Sequence, residues 1–174
     1  LCLEMPCFGA RAEPTEVPLS KAHHWQGTTL FGRMLAEQVA GLEFLLSQPQ
    51  VDPDRVGVMG ISMGGTLAWW LAALEPRLGA AVSMCSFADM ARLIDTGAHD
   101  IHGPYMTVPG LLKHASTGQV SGLAAPRPLL HCIGLTDPGT PPDAVKVARE
   151  DVESAYRALG ALDALEFHIT TDLG

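Results

Sequence analysis

A serine stands in the middle of a glycine-rich turn, in the segment GISMGG that spans residues 60–65. The pattern fits G-x-S-x-G between a predicted strand and a predicted helix, which is the context of a nucleophile elbow. Gly60 and Gly64 are expected to relieve crowding of neighbouring backbone, and the tight turn forces Ser62 into a sparsely populated conformation. This predicts attack by the Ser62 hydroxyl, with the N–H of Met63 donating to the oxyanion that forms.

A glycine-rich turn between a strand and a helix has two other interpretations, which are close packing and the binding of a phosphate group. A phosphate-binding loop would carry a Lys after its glycines, and Thr66 follows them here. The serine nucleophile is therefore the favoured interpretation, and close packing alone is the alternative.

Predicted strands alternate with predicted helices along the rest of the chain. Apolar runs predict strands at LCLEMP, VGVMG, GAAVSMCS, RPLLHCIG and LEFHI. Helical spacing predicts helices over residues from about 30 to 47 and over GGTLAWWLAAL, and a third helix that Pro142 opens and Gly160 closes. The apolar face of the helix over about 30–47 consists of Leu35, Val39, Leu42 and Leu46. The apolar face of the helix that Pro142 opens consists of Val145, Ala148, Val152, Ala155 and Leu159. The Pro- and Gly-punctuated segment before the first helix, residues 12–29, is predicted to be a loop.

Strands that are almost continuously apolar and alternate with helices are typical of a parallel sheet covered on both faces, so the predicted fold class is α/β. Ligands of such sheets bind beyond the carboxyl ends of the strands, where Ser62 lies. Internal repeats and Gly/Ser linkers are absent from the sequence, which predicts one domain over residues 1–174.

The segments VDPDRVGVMGISMGGTLAWWLAAL and APRPLLHCIGLTD resemble the α/β-hydrolase superfamily, and most closely its dienelactone hydrolase and acetyl-xylan-esterase-like branch. The resemblance runs over nearly the whole chain. It implies a mostly parallel sheet with helices on both faces and serine hydrolysis of an ester, thioester or similar acyl bond, through an acyl-enzyme and without a cofactor. A small-molecule acyl ester is the substrate class that it implies.

A serine nucleophile needs a histidine base, and the imidazole needs a carboxylate to orient it. The resemblance places this carboxylate directly after the strand LLHCIG, where Asp137 lies. The alternative for Asp137 is an Asp-Pro-Gly turn residue that bonds to its own backbone. Asp143 is the rival acid, and its position at the start of a helix is explained by an N-cap.

The resemblance places the histidine in a loop shortly after the last strand, where the sequence reads TTDLG, so the expected base is the residue that would follow Gly174. His168 lies within the strand itself and is a weak candidate. Of the others, His23 and His24 are expected in a loop, where HHW could line an acyl pocket, and His131 in a strand. The middle segment holds His99, His102 and His114. Scattered histidines without an HExxH pattern predict no metal site.

The resemblance places two catalytic groups outside residues 1–174: a second oxyanion donor before Leu1 and the base after Gly174. The chain is therefore expected to be an internal piece of a longer hydrolase, with a domain incomplete at both ends. Residues 87–122, rich in Gly, Pro, Met and His, lie where related enzymes insert a cap over the site, and a plain surface excursion is the alternative.

Composition limits the partners. The chain has 174 residues, 47% hydrophobic and 17% charged, with a net charge of −8 and scattered Lys and Arg, which argues against nucleic acid. No apolar run approaches the length of a membrane span, and four dispersed cysteines suggest free thiols. A cytoplasmic protein is expected, and homo-oligomerisation is left open.

Two other functions stay open: a prolyl-oligopeptidase-like peptidase, and a non-catalytic hydrolase-like binding module.

Overall fold

A computed structural model describes residues 1–171 of the chain and leaves out Asp172, Leu173 and Gly174. Two compact units divide the described residues. The first unit comprises residues 1–52 and 102–110, and the second comprises residues 53–101 together with the chain from residue 111 onward. The predicted single domain, with its cap-like insertion at 87–122, stays a prediction.

The first unit contains two helices, α1 (Glu16–Trp25) and α2 (Leu30–Leu46). The predicted helix over about 30–47 is confirmed as α2, whose N-cap residue Thr29 accepts a hydrogen bond from the N–H of Gly32 at 2.9 Å. The predicted loop over residues 12–29 is wrong, because α1 lies within it. Pro18 falls in the first turn of α1, where a helix needs no N–H donor, so this proline does not break it.

The predicted strand LCLEMP is also wrong, since residues 1–6 contain no strand. An apolar run becomes a strand only when a neighbouring strand pairs with its backbone. Here the side chains of Leu1 and Leu3 lie over Gly41 of α2, in space that a Cβ atom would fill. The apolar residues of this segment therefore serve helix packing.

The second unit is built on a four-stranded parallel sheet in the order β1 (Gly57–Ile61), β2 (Ala80–Met84), β3 (Leu129–Gly134) and β4 (Leu165–Thr170). Met84 pairs with Ile61 on one side and with Cys132 on the other, so the carboxyl ends of the strands share one edge. The α/β class predicted from the sequence is confirmed, as are the last four predicted strands.

Helices of the second unit are α3 (Met63–Leu74), α4 (Met90–Thr96), α5 (Thr117–Gly122) and α6 (Pro142–Ala158). The predicted apolar face of α6 is correct at Val145, Ala148 and Val152, which are buried. It is wrong at Leu159, which is 61% exposed because the helix ends at Ala158, and the fully buried side chain here is Tyr156.

None of the helices described within residues 1–171 is both long and apolar enough to cross a membrane.

Candidate active site

Ser62 occupies the turn between β1 and α3 in a conformation that few residues adopt. Its φ is +54° and its ψ is −121°, and it directly precedes Met63, the first residue of α3. Its backbone is held on both sides: the N–H donates to the carbonyl of Met84 at 2.8 Å, and the carbonyl accepts from the N–H of Thr66 at 2.9 Å. The side chain is exposed. The turn therefore presents a hydroxyl at the carboxyl edge of the sheet.

The glycines around Ser62 differ in how much space a side chain would have: Gly60 and Gly65 are crowded and Gly64 is open. A Cβ atom on Gly60 would collide with the backbone of Gly64 and Gly65, so only glycine fits there. The crowding predicted at Gly64 is wrong, since nothing lies within 4 Å of a Cβ placed on it. Gly65 is the second crowded position, because its Cβ would lie 2.6 Å from the carbonyl oxygen of Met84. Sequence spacing could not reveal this, since Met84 belongs to another strand.

The N–H of Met63 lies in the first turn of α3, where the helix supplies no acceptor. The first-turn N–H groups and the helix dipole together favour a negative charge at this end. The predicted oxyanion donor thus adjoins Ser62 in a suitable electrostatic setting.

Asp137 lies three residues beyond the end of β3 and is half-buried. Its Oδ1 accepts a hydrogen bond from the N–H of Gly139 at 2.8 Å, which is the turn-residue bond that the sequence offered as the alternative. This bond is compatible with a catalytic role, because an ionised carboxylate has two oxygens and about four acceptor sites.

Asp143 was predicted to be an N-cap, and this is wrong. The N-cap of α6 is Pro141, and Pro142 is the first helical residue, so Asp143 lies second in the helix. Pro141 occupies the N-cap position, so the carboxylate of Asp143 does not cap this helix. Its Oδ2 instead accepts from Arg92 at 3.2 Å, on an exposed surface.

Strand order brings Ser62 and Asp137 to the same edge of the sheet. Ser62 follows β1 and Asp137 follows β3, with β2 between them. Neighbouring strands lie about 4.8 Å apart, so these two strand ends are separated by roughly 10 Å. An imidazole with a hydrogen bond on each ring nitrogen is the kind of group that joins a serine and a carboxylate across such a gap.

His131 lies in the core rather than at the site. It is fully buried, with its ring 3.8 Å from Phe87 and 5.2 Å from Phe167 by centroid distance. Burial lowers the pKa of His131 to about 3, because the interior disfavours the charged imidazolium. Its Nε2 lies 3.4 Å from the hydroxyl of Ser121. The histidine therefore stays neutral and out of reach of a substrate.

Other histidines are dispersed. His168 lies in β4 opposite Cys132, with an exposed side chain. His23 has its Nδ1 2.9 Å from the hydroxyl of Thr28, and it belongs to α1 rather than to the predicted loop. Most of the loop TTDLG lies outside the described residues. Within residues 1–171, no three His, Cys, Asp or Glu side chains lie together as metal ligands would.

Comparisons with known proteins agree with this architecture. A model of the prolyl oligopeptidase family matches residues 22–149. The protein named "Putative hydrolase YtaP" of Bacillus subtilis (strain 168) is 38% identical over 156 residues, which are 90% of this chain and 52% of that protein. The chain thus spans about half the length of this curated relative.

Two solved structures show the same fold. A glucuronoyl esterase of carbohydrate esterase family 15 from Caldicellulosiruptor kristjansonii superposes with a TM-score of 0.64 at 19% identity, covering 84% of this chain and 46% of that one. Acetyl xylan esterase 1 from Thermoanaerobacterium sp. JW/SL YS485 gives a TM-score of 0.52 at 24% identity, covering 80% and 46%. The fold shared with these esterases is the α/β-hydrolase fold that the resemblance implied.

Proposed function

Because this chain belongs to the prolyl oligopeptidase family, within the α/β-hydrolase superfamily of serine hydrolases, we propose that it cleaves a carboxylic ester through an acyl-enzyme on Ser62. The observation that carries the proposal is the backbone of Ser62, whose φ of +54° lifts an exposed hydroxyl out of the sheet at the start of α3. Strain of this kind persists only where surrounding structure enforces it, and it concentrates at active sites.

In the proposed reaction, the Ser62 oxygen forms a bond to the acyl carbon while its proton passes to a histidine base. We propose that a histidine in the loop after β4 is this base, because the carboxyl end of β4 lies at the edge of the sheet where Ser62 and Asp137 lie. The N–H of Met63 donates to the oxyanion, and Asp137 orients the imidazole and stabilises its positive charge. The histidine then protonates the leaving alcohol, and water, deprotonated by the same histidine, releases the acid from Ser62. The reaction requires no cofactor.

A small-molecule ester is the proposed substrate class. The names of two similar structures, acetyl xylan esterase and glucuronoyl esterase, favour an ester over an amide. The family description favours a second candidate, a peptidase that cleaves an amide through the same serine. Both candidates use the same nucleophile and differ in the leaving group.

The first experiment asks whether Ser62 is the nucleophile. The protein expressed from its complete gene is treated with a fluorophosphonate probe, which labels activated serines. We expect labelling of the wild type, loss of labelling in Ser62→Ala, and retention in the control Ser47→Ala, whose hydroxyl donates to the carbonyl of Phe44 and accepts from the side chain of Gln48 at the end of α2. A folded wild type that is not labelled would support the non-catalytic module and overturn the proposal.

A second experiment separates the two enzymes. Hydrolysis of p-nitrophenyl acetate is compared with that of an aminoacyl p-nitroanilide, and both are measured again in Ser62→Ala. We expect kcat/KM to be far higher for the ester. A comparable value for the anilide would favour the peptidase.

We also propose a cytoplasmic location. The four cysteines are free thiols, and disulfides are rare in the cytosol. Cell fractionation tests the location, and light scattering of the purified protein tests homo-oligomerisation.

A further inference from the structure

The turn that follows β2 carries a second strained residue that the proposed reaction does not use. Cys85 has a φ of +52°, and among the described residues the only other non-glycine residues with positive φ are Ser62 and Cys7. Cys85 and Ser62 each directly follow a strand, and these strands, β2 and β1, are neighbours in the sheet. A left-handed conformation costs a β-carbon-bearing residue free energy, so something must hold it.

Three hydrogen bonds hold this turn. The N–H of Cys85 donates to the carbonyl of Cys132 in β3 at 2.9 Å. The hydroxyl of Ser86 lies 2.8 Å from the hydroxyl of Ser83, which is 1% exposed. The indole Nε1 of Trp69, in α3, donates to the carbonyl of Ser86 at 3.4 Å. The turn is thus tied to the next strand, to its own strand and to the helix that begins at the elbow.

The same turn contacts the elbow directly. The carbonyl of Met84 accepts the N–H of Ser62 at 2.8 Å. A Cβ atom on Gly65 would lie 2.5 Å from the hydroxyl oxygen of Ser86, so the first turn of α3 rests against this hydroxyl. A displacement of Ser86 would therefore let the first turn of α3 shift, and the N–H of Met63 with it.

We infer that Ser86 is a positioning residue for the oxyanion site: its hydroxyl, anchored by Ser83 and packed on Gly65, fixes the first turn of α3 that carries the N–H of Met63. The inference rests on the proposed function, since it assumes that Ser62 is the nucleophile. Ser86 acts through Gly65 and touches no reacting atom.

A positioning role predicts a particular kinetic signature. The oxyanion exists only in the transition state and intermediate, so a misplaced donor lowers kcat and leaves KM nearly unchanged. Complete removal of one oxyanion donor costs about 100- to 1000-fold in kcat. Because Ser86→Ala would shift the donor rather than remove it, we expect a loss of about tenfold.

The test compares Ser86→Ala with Ser83→Ala in the protein expressed from its complete gene, with p-nitrophenyl acetate as substrate. Ser86→Ala removes the hydroxyl that lies against Gly65, and Ser83→Ala removes the hydroxyl that anchors it. We expect both to lower kcat at nearly constant KM, to leave the pH profile of kcat/KM unshifted and to slow phosphonylation of Ser62. Since the two hydroxyls act as one unit, the double variant should be no slower than the slower single variant.

Thr29→Ala serves as the matched control, because it also removes a bonded hydroxyl but acts on the N-cap of α2. We expect it to lower the melting temperature and leave kcat unchanged. If Ser86→Ala and Ser83→Ala behave like this control, or either keeps the wild-type kcat, the inference is overturned while labelling of Ser62 still supports the proposed function. If Ser62→Ala itself keeps full activity, both fail. If Ser86→Ala does not fold, the kcat of Ser83→Ala decides.

Discussion

Ser62 and His131 are both positioned by the same parallel sheet, but the side chain of Ser62 is exposed and that of His131 is fully buried. Ser62 follows the end of β1 on a strained backbone and has an exposed side chain. His131 lies inside β3 with ordinary strand pairing and is fully buried, with the rings of Phe87 and Phe167 packed against it. Histidine is the residue type more often associated with catalysis, but here it is the serine that reaches solvent.

The contrast teaches that position along a strand decides what a polar residue can do. Within the strand, desolvation makes the imidazole inert, since burial lowers its pKa to about 3. Beyond the strand end, the strained turn exposes the side chain of Ser62 beside a helix N-terminus, which is the setting that the proposed nucleophile and oxyanion site require. Substitutions can test both the exposed edge of the sheet and the buried core.

The largest effect is expected at the edge, from Asp137→Asn. Asparagine keeps the side-chain oxygen that accepts from the N–H of Gly139, so the turn is preserved. It removes the charge that would stabilise an imidazolium, and by analogy with serine-protease triads kcat should fall by about 10³- to 10⁴-fold. Steady-state hydrolysis of p-nitrophenyl acetate measures this.

The control for Asp137→Asn is Asp143→Asn, which breaks only an exposed pair with Arg92. We expect its kcat to match the wild type, because exposed ion pairs contribute little. A normal kcat in Asp137→Asn would reduce Asp137 to a turn residue, and a slow Asp143→Asn would restore the rival acid.

The buried environment of His131 is tested by measuring stability at acidic pH. His131 has a pKa of about 3 when folded and 6.5 in its unperturbed form, so below pH 6.5 the unfolded state binds the extra proton. The stability associated with the neutral ring is present above pH 6.5 and is lost as the pH falls toward 3. Between pH 7 and 4.5 this amounts to roughly 3 kcal/mol.

Urea unfolding at pH 7 and at pH 4.5 measures the loss, and His131→Phe is the control because it keeps an aromatic ring in the stack without a titrating group. We expect the wild type to lose roughly 3 kcal/mol more than the variant over this range. Glu37 does not interfere, because its Arg11 partner holds its pKa at about 2, and the stability that this provides is lost only below pH 4.5. Equal losses in both proteins would contradict the buried neutral histidine.

Local patterns in the sequence predicted most of the second unit. The last four strands and the helices α3 and α6, together with α2 of the first unit, follow from apolar runs and helical spacing, which depend on neighbours along the chain. The strained turn at Ser62 was predicted in the same way, from a glycine-rich segment between a strand and a helix, and its role as the nucleophile stays a prediction.

Predictions failed where a distant part of the chain decides the outcome. LCLEMP has the composition of a strand, but pairing requires a partner that composition does not supply. Gly65 is crowded by Met84, which lies on the neighbouring strand. The Ser83 and Ser86 pair is equally hidden, because a hydroxyl pair at the end of a strand has no sequence signature. These features belong to contacts between elements, so a single sequence carries little information about them.

The smallest effect sharpens the description of the edge, by comparing Gly60→Ala with Gly64→Ala. A methyl group on Gly60 collides with the backbone of Gly64 and Gly65, which cannot rotate away as a side chain would. We expect a loss of about 2 kcal/mol of stability, together with a lower kcat because the first turn of α3 must move. The methyl group on Gly64 enters open space and replaces a poor helix former, so stability should stay constant or rise by up to about 1 kcal/mol. Thermal unfolding and kcat of both variants measure the difference, and equal losses at the two positions would mean that the turn is less tight around Ser62 than its backbone angles require.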